Sequence, residues 1–215
     1  MTDLVGLVRE ALLRRAPAAL PGAEALSAYL HLVLEANEGI NLVSRRESTP
    51  GSLVGRHLLD ALEALPMLPP PGARPGRLLD IGSGGGFPAL PLLLVRRDLE
   101  GVLVESVGKK SRFLESAVRS LGLTARVVNA RFPDPALDEM RKFPPCDLLT
   151  SRAVAGAGGI VRQALPALRR GAVALLWTSE PLLDDVRRAL PGANVVFQKS
   201  PEADRRGIAR VECFT

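Results

Sequence analysis

The sequence is short of cysteine, aromatics and long apolar runs, and each shortage closes off a class of protein. Cys146 and Cys213 are its only two cysteines, too few and too far apart for a disulfide framework or a zinc site. No metal is expected, and a reducing compartment, the cytoplasm, fits best. No stretch approaches the ~18–20 consecutive apolar residues that a membrane span requires. The first ten residues carry an early acid, Asp3, and lack a basic segment followed by an apolar one, so no secretory signal is expected. The HExxH, Walker-loop and GxSxG patterns do not occur, which leaves metal hydrolysis, phosphoryl transfer and serine hydrolysis without a motif. Aromatic residues make up 4%. Phe87, Phe132 and Trp177 are among the few rings that could hold an unstacked nucleobase.

What is present is enough for one ordinary globular domain with a small extension: 47% hydrophobic and 24% charged residues in a chain of 215. The net charge of +5 favours an acidic partner such as nucleic acid. An arginine-rich composition bias accounts for it equally well.

Two styles of patterning divide the chain. Residues 1–75 read as a helical extension closed by a proline-rich linker. Leu26, Tyr29, Leu30, Val33 and Leu34 fall on one helix face, and a second pattern runs from Ser52 to Leu65 through His57 and Leu58. The prolines between Pro66 and Pro75 forbid a continuing helix. Residues 76–215 alternate short apolar runs with helical stretches. Strands are expected near Arg77–Ile81, Val102–Glu105, Ala125–Asn129, Asp147–Ser151, Ala172–Trp177, Asn194–Gln198 and Ile208–Phe214. Helices are expected near Pro88–Arg96, Gly108–Leu121, Gly159–Leu168 and Pro181–Leu190. This alternation predicts an α/β, Rossmann-like fold with a mostly parallel sheet and room for an antiparallel member at its end.

The densest chemical signal is Asp80-Ile81-Gly82-Ser83-Gly84-Gly85-Gly86-Phe87-Pro88. A strand ends in a carboxylate, and glycines that permit positive φ and close backbone approach follow at once. Glu105 closes the next strand, so both acids reach one crevice, and a carboxylate there suits the diol of a ribose. The dinucleotide fingerprint G-x-G-x-x-G fails from Gly82 and survives from Gly84 only in its alanine form, ending at Ala89. The actual spacing is acid-x-Gly-x-Gly-x-Gly.

Three further constellations follow. Lys109, Lys110 and Arg112 open a helix at the end where its dipole opposes positive charge, which implies an anion nearby or a solvated basic face. Thr150-Ser151-Arg152-Ala153 ends the fourth strand, where an arginine is able to clamp a carboxylate, a phosphate or a guanine oxygen. In the extension, Asn41-Leu42-Val43-Ser44-Arg45-Arg46 precedes Arg56-His57-Leu58-Leu59-Asp60. Arg56 and Asp60 stand four apart and are expected to pair; a lone His57 on a mixed face reads as structural.

Taken in this order, these segments resemble the ribosomal small-subunit RNA methyltransferase G (GidB) family over residues 25–180. The resemblance rests on Asn41-Leu42, Arg56-His57-x-x-Asp60, the Asp80–Pro88 run with Pro91-Leu92, Glu105-Ser-x-x-Lys109-Lys110-x-x-Phe113-Leu114, Arg131 and Ser151-Arg152-Ala153. It implies a class I methyltransferase fold of seven strands. It also implies transfer of a methyl group from S-adenosylmethionine to guanine N7 of 16S rRNA, with 16S rRNA or the small subunit as partner. Asp80, Gly82, Gly84, Phe87, Glu105, Arg131, Phe132 and Arg152 are then the expected cofactor residues, Glu105 on the ribose and Arg152 at the boundary with the substrate. Arg45, Arg46, Arg56, Lys109, Lys110 and Arg112 are the expected RNA face. The chain departs from the family pattern at Asn129-Ala130-Arg131-Phe132, which lacks the usual Glu, and at Leu176-Trp177-Thr178-Ser179, where Leu-Lys-Gly is usual. Two competing readings remain at this point: a non-catalytic RNA-binding or assembly remnant of the fold, and a NAD-type oxidoreductase.

Overall fold

The computed structural model describes residues 3–133, 138–139, 142, 144–152, 156–201 and 205–212. The apolar runs of the second half become seven strands: β1 Gly76–Ile81, β2 Leu99–Val104, β3 Ala125–Val128, β4 Cys146–Arg152, β5 Leu168–Ser179, β6 Asn194–Lys199 and β7 Arg206–Glu212. They form one sheet in the order β3-β2-β1-β4-β5-β7-β6. The first five are parallel, and β7 runs antiparallel between β5 and β6.

Neighbouring residues of the central strands are buried on opposite faces, because each face is covered. Leu78, Leu103, Leu148 and Leu175 belong to one apolar core, while Leu79, Val104, Leu149 and Leu176 belong to another. The second core is closed by α6 (Ala157–Ala164) and α7 (Leu183–Ala189). The first holds α4 (Ala89–Val95) and α5 (Gly108–Ser120). It also holds the helices of the extension: α1 (Leu4–Arg15), α2 (Ala23–Asn37) and a composite α3, α-helical at Pro50–Ser52, π-helical at Leu53–Leu58 and α-helical again at Leu59–Leu62. α4 is apolar all round, Ala-Leu-Pro-Leu-Leu-Leu-Val, and nearly all of it is buried, as a helix lying between a sheet and a second helical layer must be.

The extension therefore shares a core with the sheet. Leu12, Leu26, Leu30, Leu53 and Leu58 are fully buried in it, each contributing roughly 1.5–3 kcal/mol. Polar ties add to this: Arg15 pairs with Glu63 at 2.9 Å, Ser200 donates to the same carboxylate at 3.1 Å, and Arg210 Nε donates to the Met67 carbonyl at 3.2 Å.

The strand expectations hold to within a few residues, and the largest difference is at β5. It starts at Leu168, four residues before Ala172, because its pairing slips between Cys146↔Leu168 and Leu148↔Val173. Gly171 turns at φ 77 there, and Arg169-Arg170-Gly171, which lies between the expected helix and strand, is an exposed bulge inside a strand. α6 stops at Ala164 because Leu165–Ala167, with its proline, tightens into a 3-10 turn. Ala153, Asp134, Cys213 and Phe214 lie outside the described residues. Among those described, no helix is long and apolar enough to cross a membrane.

β2 and β3 are laid down on one side of β1, β4 and β5 on the other. The order reverses between β1 and β4, and in open α/β sheets the crevice at the carboxyl ends of such strands is where ligands bind.

Candidate active site

The loop after β1 is shaped by three left-handed glycines, Gly82, Gly84 and Gly86, at φ 75, 57 and 97. The N–H groups of Gly82 and Ser83 both donate to the Val104 carbonyl, at 2.9 and 3.1 Å, tying the loop to the end of β2. Glu105, buried, follows directly. Its Oε2 accepts from the Gly84 N–H at 2.8 Å and its Oε1 from the Val107 N–H, ahead of α5, at 2.7 Å. The carboxylate thus fixes the outer turn of the loop and the start of the next helix. Asn129 Nδ2 donates to the Glu105 carbonyl at 2.8 Å, linking the end of β3 to the same corner.

Asp80 is fully buried. Thr150 of β4 donates to its Oδ1 at 2.7 Å, while Oδ2 has no hydrogen-bond partner. Burial pushes its carboxyl up to about 6, against the opposing pull of Thr150, Ser83 and Arg152. A buried carboxylate oxygen without a partner is costly, and a cationic ligand relieves that cost. A methyl group placed on Gly84 would meet nothing nearer than the Gly82 carbonyl at 3.8 Å, so the turn is bare on that side. An open glycine turn between two buried carboxylates fits a cationic nucleoside such as S-adenosylmethionine.

A second cluster lies at the end of β4. The half-buried Arg152 donates from Nη1 to Asp60 Oδ2 at 2.9 Å and from Nη2 to His57 Nδ1 at 2.5 Å. Its Cζ sits 5.5 Å from the centre of the Phe87 ring, within cation–π range. That ring, itself buried, lies 5.1 Å from the Tyr29 ring and 5.2 Å from that of His57. Burial, with Arg152 beside it, lowers His57 to about 4, so the imidazole is neutral. A guanidinium only donates; His57 Nδ1 is therefore the acceptor and Nε2 carries the hydrogen, 3.5 Å from Glu47 Oε2.

The expected cofactor residues thus fall into three places. Asp80, Gly82, Gly84 and Glu105 surround the glycine turn. Phe87 and Arg152 stand together at its β4 side, with the Phe87 ring beneath the guanidinium. Arg131, exposed, and Phe132, packed partly on the second core, follow β3. Of the expected RNA residues, Arg45, Arg46, Arg56, Lys109 and Arg112 are exposed and Lys110 is half-buried. The two basic groups flank the loop: the first belongs to the segment whose Leu42 packs on Gly85, the second to α5, which begins just after the residue that Glu105 holds.

One expectation is overturned. Arg56 and Asp60 do not form the expected pair, because the π-helical stretch between them alters the spacing of the faces. Arg56 pairs outward with Glu47 at 3.6 Å, and Asp60 turns inward to Arg152. Sequence reasoning also passed over several residues that shape the site. His57, read as structural, is a partner of Arg152. Tyr29, read as part of an apolar face, donates its hydroxyl to the Gly85 carbonyl at 2.7 Å. Trp177, standing where the family pattern has lysine, pairs with Arg152 in the sheet register and donates its indole N–H to the Asp60 carbonyl at 3.0 Å. Within the extension, the signal that pointed to this cluster was the Arg56-His57-x-x-Asp60 run.

Comparison with known proteins identifies the family. The family model described as GidB, rRNA small subunit methyltransferase G, matches residues 22–194. The chain is 34% identical over 184 residues to the ribosomal RNA small subunit methyltransferase G of Acidiphilium cryptum, covering 86% of this chain and 81% of that one. It is 42% identical over 154 residues to the protein of that name from Stenotrophomonas maltophilia (strain K279a), covering 71% and 67%. Among solved structures, cofactor-bound Rv0187 from MTB superposes with a TM-score of 0.56 at 21% identity, over 88% of this chain and 89% of that one. A putative O-methyltransferase from Klebsiella pneumoniae gives 0.54 at 16% identity, over 87% and 90%. These two likenesses concern the fold.

Proposed function

The chain belongs to the rRNA small subunit methyltransferase G (GidB) family, and from that premise we infer that it methylates guanine N7 of 16S rRNA, with S-adenosylmethionine as donor, in the cytoplasm. The observation that carries the site is the pair of buried carboxylates, Asp80 with an oxygen that lacks a hydrogen-bond partner and Glu105 bonded to the glycine turn, at the ends of adjacent parallel strands.

Each chain residue then has a physical role. A carboxylate offers about four lone-pair sites, and the two backbone N–H groups on Glu105 use one on each oxygen. The others are available to ribose hydroxyls. Asp80, buried beside the turn, contributes negative charge for a cationic donor. Gly82 and Gly84 let the ligand lie on bare backbone, and Phe87 supports Arg152 from below. Arg131 and Phe132 are placed by this reading at the adenine end. Bound S-adenosylmethionine supplies an electrophilic methyl group on a sulfonium.

Guanine N7 has an exposed lone pair and no proton to lose, so no general base is needed. The chain's contribution is to hold donor and base in line, an effect able to lower a barrier by ~7–11 kcal/mol. The ring gains positive charge as the methyl arrives. A cation aimed at N7 would oppose this, which assigns Arg152 to a carboxylate, a phosphate or guanine O6. Arg45, Arg46, Arg56, Lys109, Lys110 and Arg112 meet rRNA phosphates. Binding should therefore weaken steeply with salt, and Arg45→Glu combined with Lys109→Glu should flatten that dependence in filter-binding titrations.

The deciding experiment incubates the protein with S-adenosylmethionine and either small ribosomal subunits or naked 16S rRNA, followed by nucleoside analysis. N7-methylguanosine from either substrate is the expected result. Absence of any methylated base from both would overturn it; ligand binding without transfer would mark a non-catalytic remnant.

A further inference from the structure

The Leu59 N–H donates to the carbonyl of Val54, five residues back, the hydrogen bond of a π-turn. This turn separates two neighbours in sequence. Arg56 is exposed and turned to Glu47, whereas His57 is buried against Phe87 and Arg152. Asp60, one turn on, reaches the same guanidinium from the other terminal nitrogen, and Trp177 holds the Asp60 carbonyl. A segment of the extension is thereby inserted into the edge of the crevice.

We propose that His57 and Asp60 are positioning residues for methyl transfer, acting through Arg152. The inference rests on the function proposed above. Arginine has five N–H donors and a long flexible stem. Among the described residues, His57 and Asp60 take one hydrogen from each terminal nitrogen and so fix both the position and the plane of the group above Phe87. Asp60 supplies the countercharge, so that Arg152 does not bring an unbalanced cation to a base that is gaining positive charge. Neutral His57 supplies an acceptor without adding a second cation. Glu47, across from Nε2, favours the tautomer that leaves Nδ1 free to accept.

The test is a double-mutant cycle on steady-state methylation of small subunits, with kcat and KM separated and Tm measured alongside. Asp60→Asn keeps size and removes charge. His57→Leu removes the acceptor, and His57→Asn restores an oxygen near the same place. Asp60→Asn and His57→Leu should each lower kcat/KM on the order of tenfold to a hundredfold, and His57→Asn should recover most of the loss. In an Arg152→Ala background neither substitution should lower it further. A structural role alone would lower Tm and persist in that background. Losses that multiply with Arg152→Ala, a fully active His57→Leu, or no rescue by His57→Asn would overturn the proposal. An active wild type with multiplying losses sinks this proposal alone, whereas an inactive wild type sinks the family activity and this with it.

Discussion

The four glycines after β1 sit within five residues of one another yet divide into two pairs. Gly85 and Gly86 face packed chain, where a methyl group would lie 3.2 Å from Leu42 Cβ of the extension in the first case, and 2.6 Å from Leu90 Cδ1 of α4 and 3.0 Å from the Tyr29 hydroxyl of the extension in the second. Gly82 is exposed, and Gly84 has open space where its side chain would be. One pair is glycine because another part of the chain fills the volume. The other is glycine because the backbone turns at positive φ and stays bare. A run of identical residues thus joins a packing seam to an open turn, the proposed ligand side, and substitutions on the two sides should fail differently.

The largest effect on stability is expected from Gly86→Ala. Left-handed strain of roughly 1–2 kcal/mol and overpacking of about 1–3 kcal/mol together should cost about 2–5 kcal/mol in denaturant melts. Asp80→Asn probes the bare side through pH. The native carboxyl titrates at about 6, above its ordinary 3.8, so the folded state holds the proton more tightly than the unfolded chain. Wild-type stability should therefore fall, relative to Asp80→Asn, as pH rises from about 4 through 6, by up to about 3 kcal/mol. Affinity for cationic S-adenosylmethionine should rise over the same window in wild type and stay flat in the variant, as calorimetry would show. Parallel curves would remove Asp80 from the ligand side.

Gly84→Ala keeps the N–H that Glu105 accepts and should cost only the left-handed strain, about 1–2 kcal/mol. Its affinity for S-adenosylhomocysteine should nonetheless drop sharply. Should it instead lose as much stability as Gly86→Ala with binding intact, the division into two sides fails. Tyr29→Phe, on the packed side, removes a hydrogen bond worth about 0.5–1.5 kcal/mol and should leave calorimetric binding of S-adenosylhomocysteine little changed.

Much of this was legible in the sequence. The short apolar runs located the strands to within a few residues, and Asp80, the glycines and Glu105 marked the crevice, because backbone conformation and carboxylate placement leave a local imprint. What was not legible depends on contacts between distant segments. Nothing near Trp177 says that its indole will hold the carbonyl of a residue in the extension. Nothing near His57 says that an arginine from β4 will lie against it. The π-turn was hidden for a further reason: Leu53, Val54, Leu58 and Leu62 fit a regular helical spacing well enough, and the expected Arg56–Asp60 pair followed from assuming that regularity throughout. Arg169-Arg170-Gly171 falls outside the apolar runs, and the slip in pairing with β4 draws it into β5 as a bulge.

The wide turn at Leu53–Leu58 also makes the extension sensitive to a change that ordinarily improves a helix. Winding the same residues as a uniform α-helix, with none removed, would rotate all that follows by about 100° relative to what precedes. Leu53 and Leu58 could no longer occupy their present seats together, and Asp60 would leave the crevice. Helix regularity and the hold on Arg152 therefore oppose each other at this point, and relatives of the same length with a smooth helix would be folded proteins that have surrendered their grip on β4.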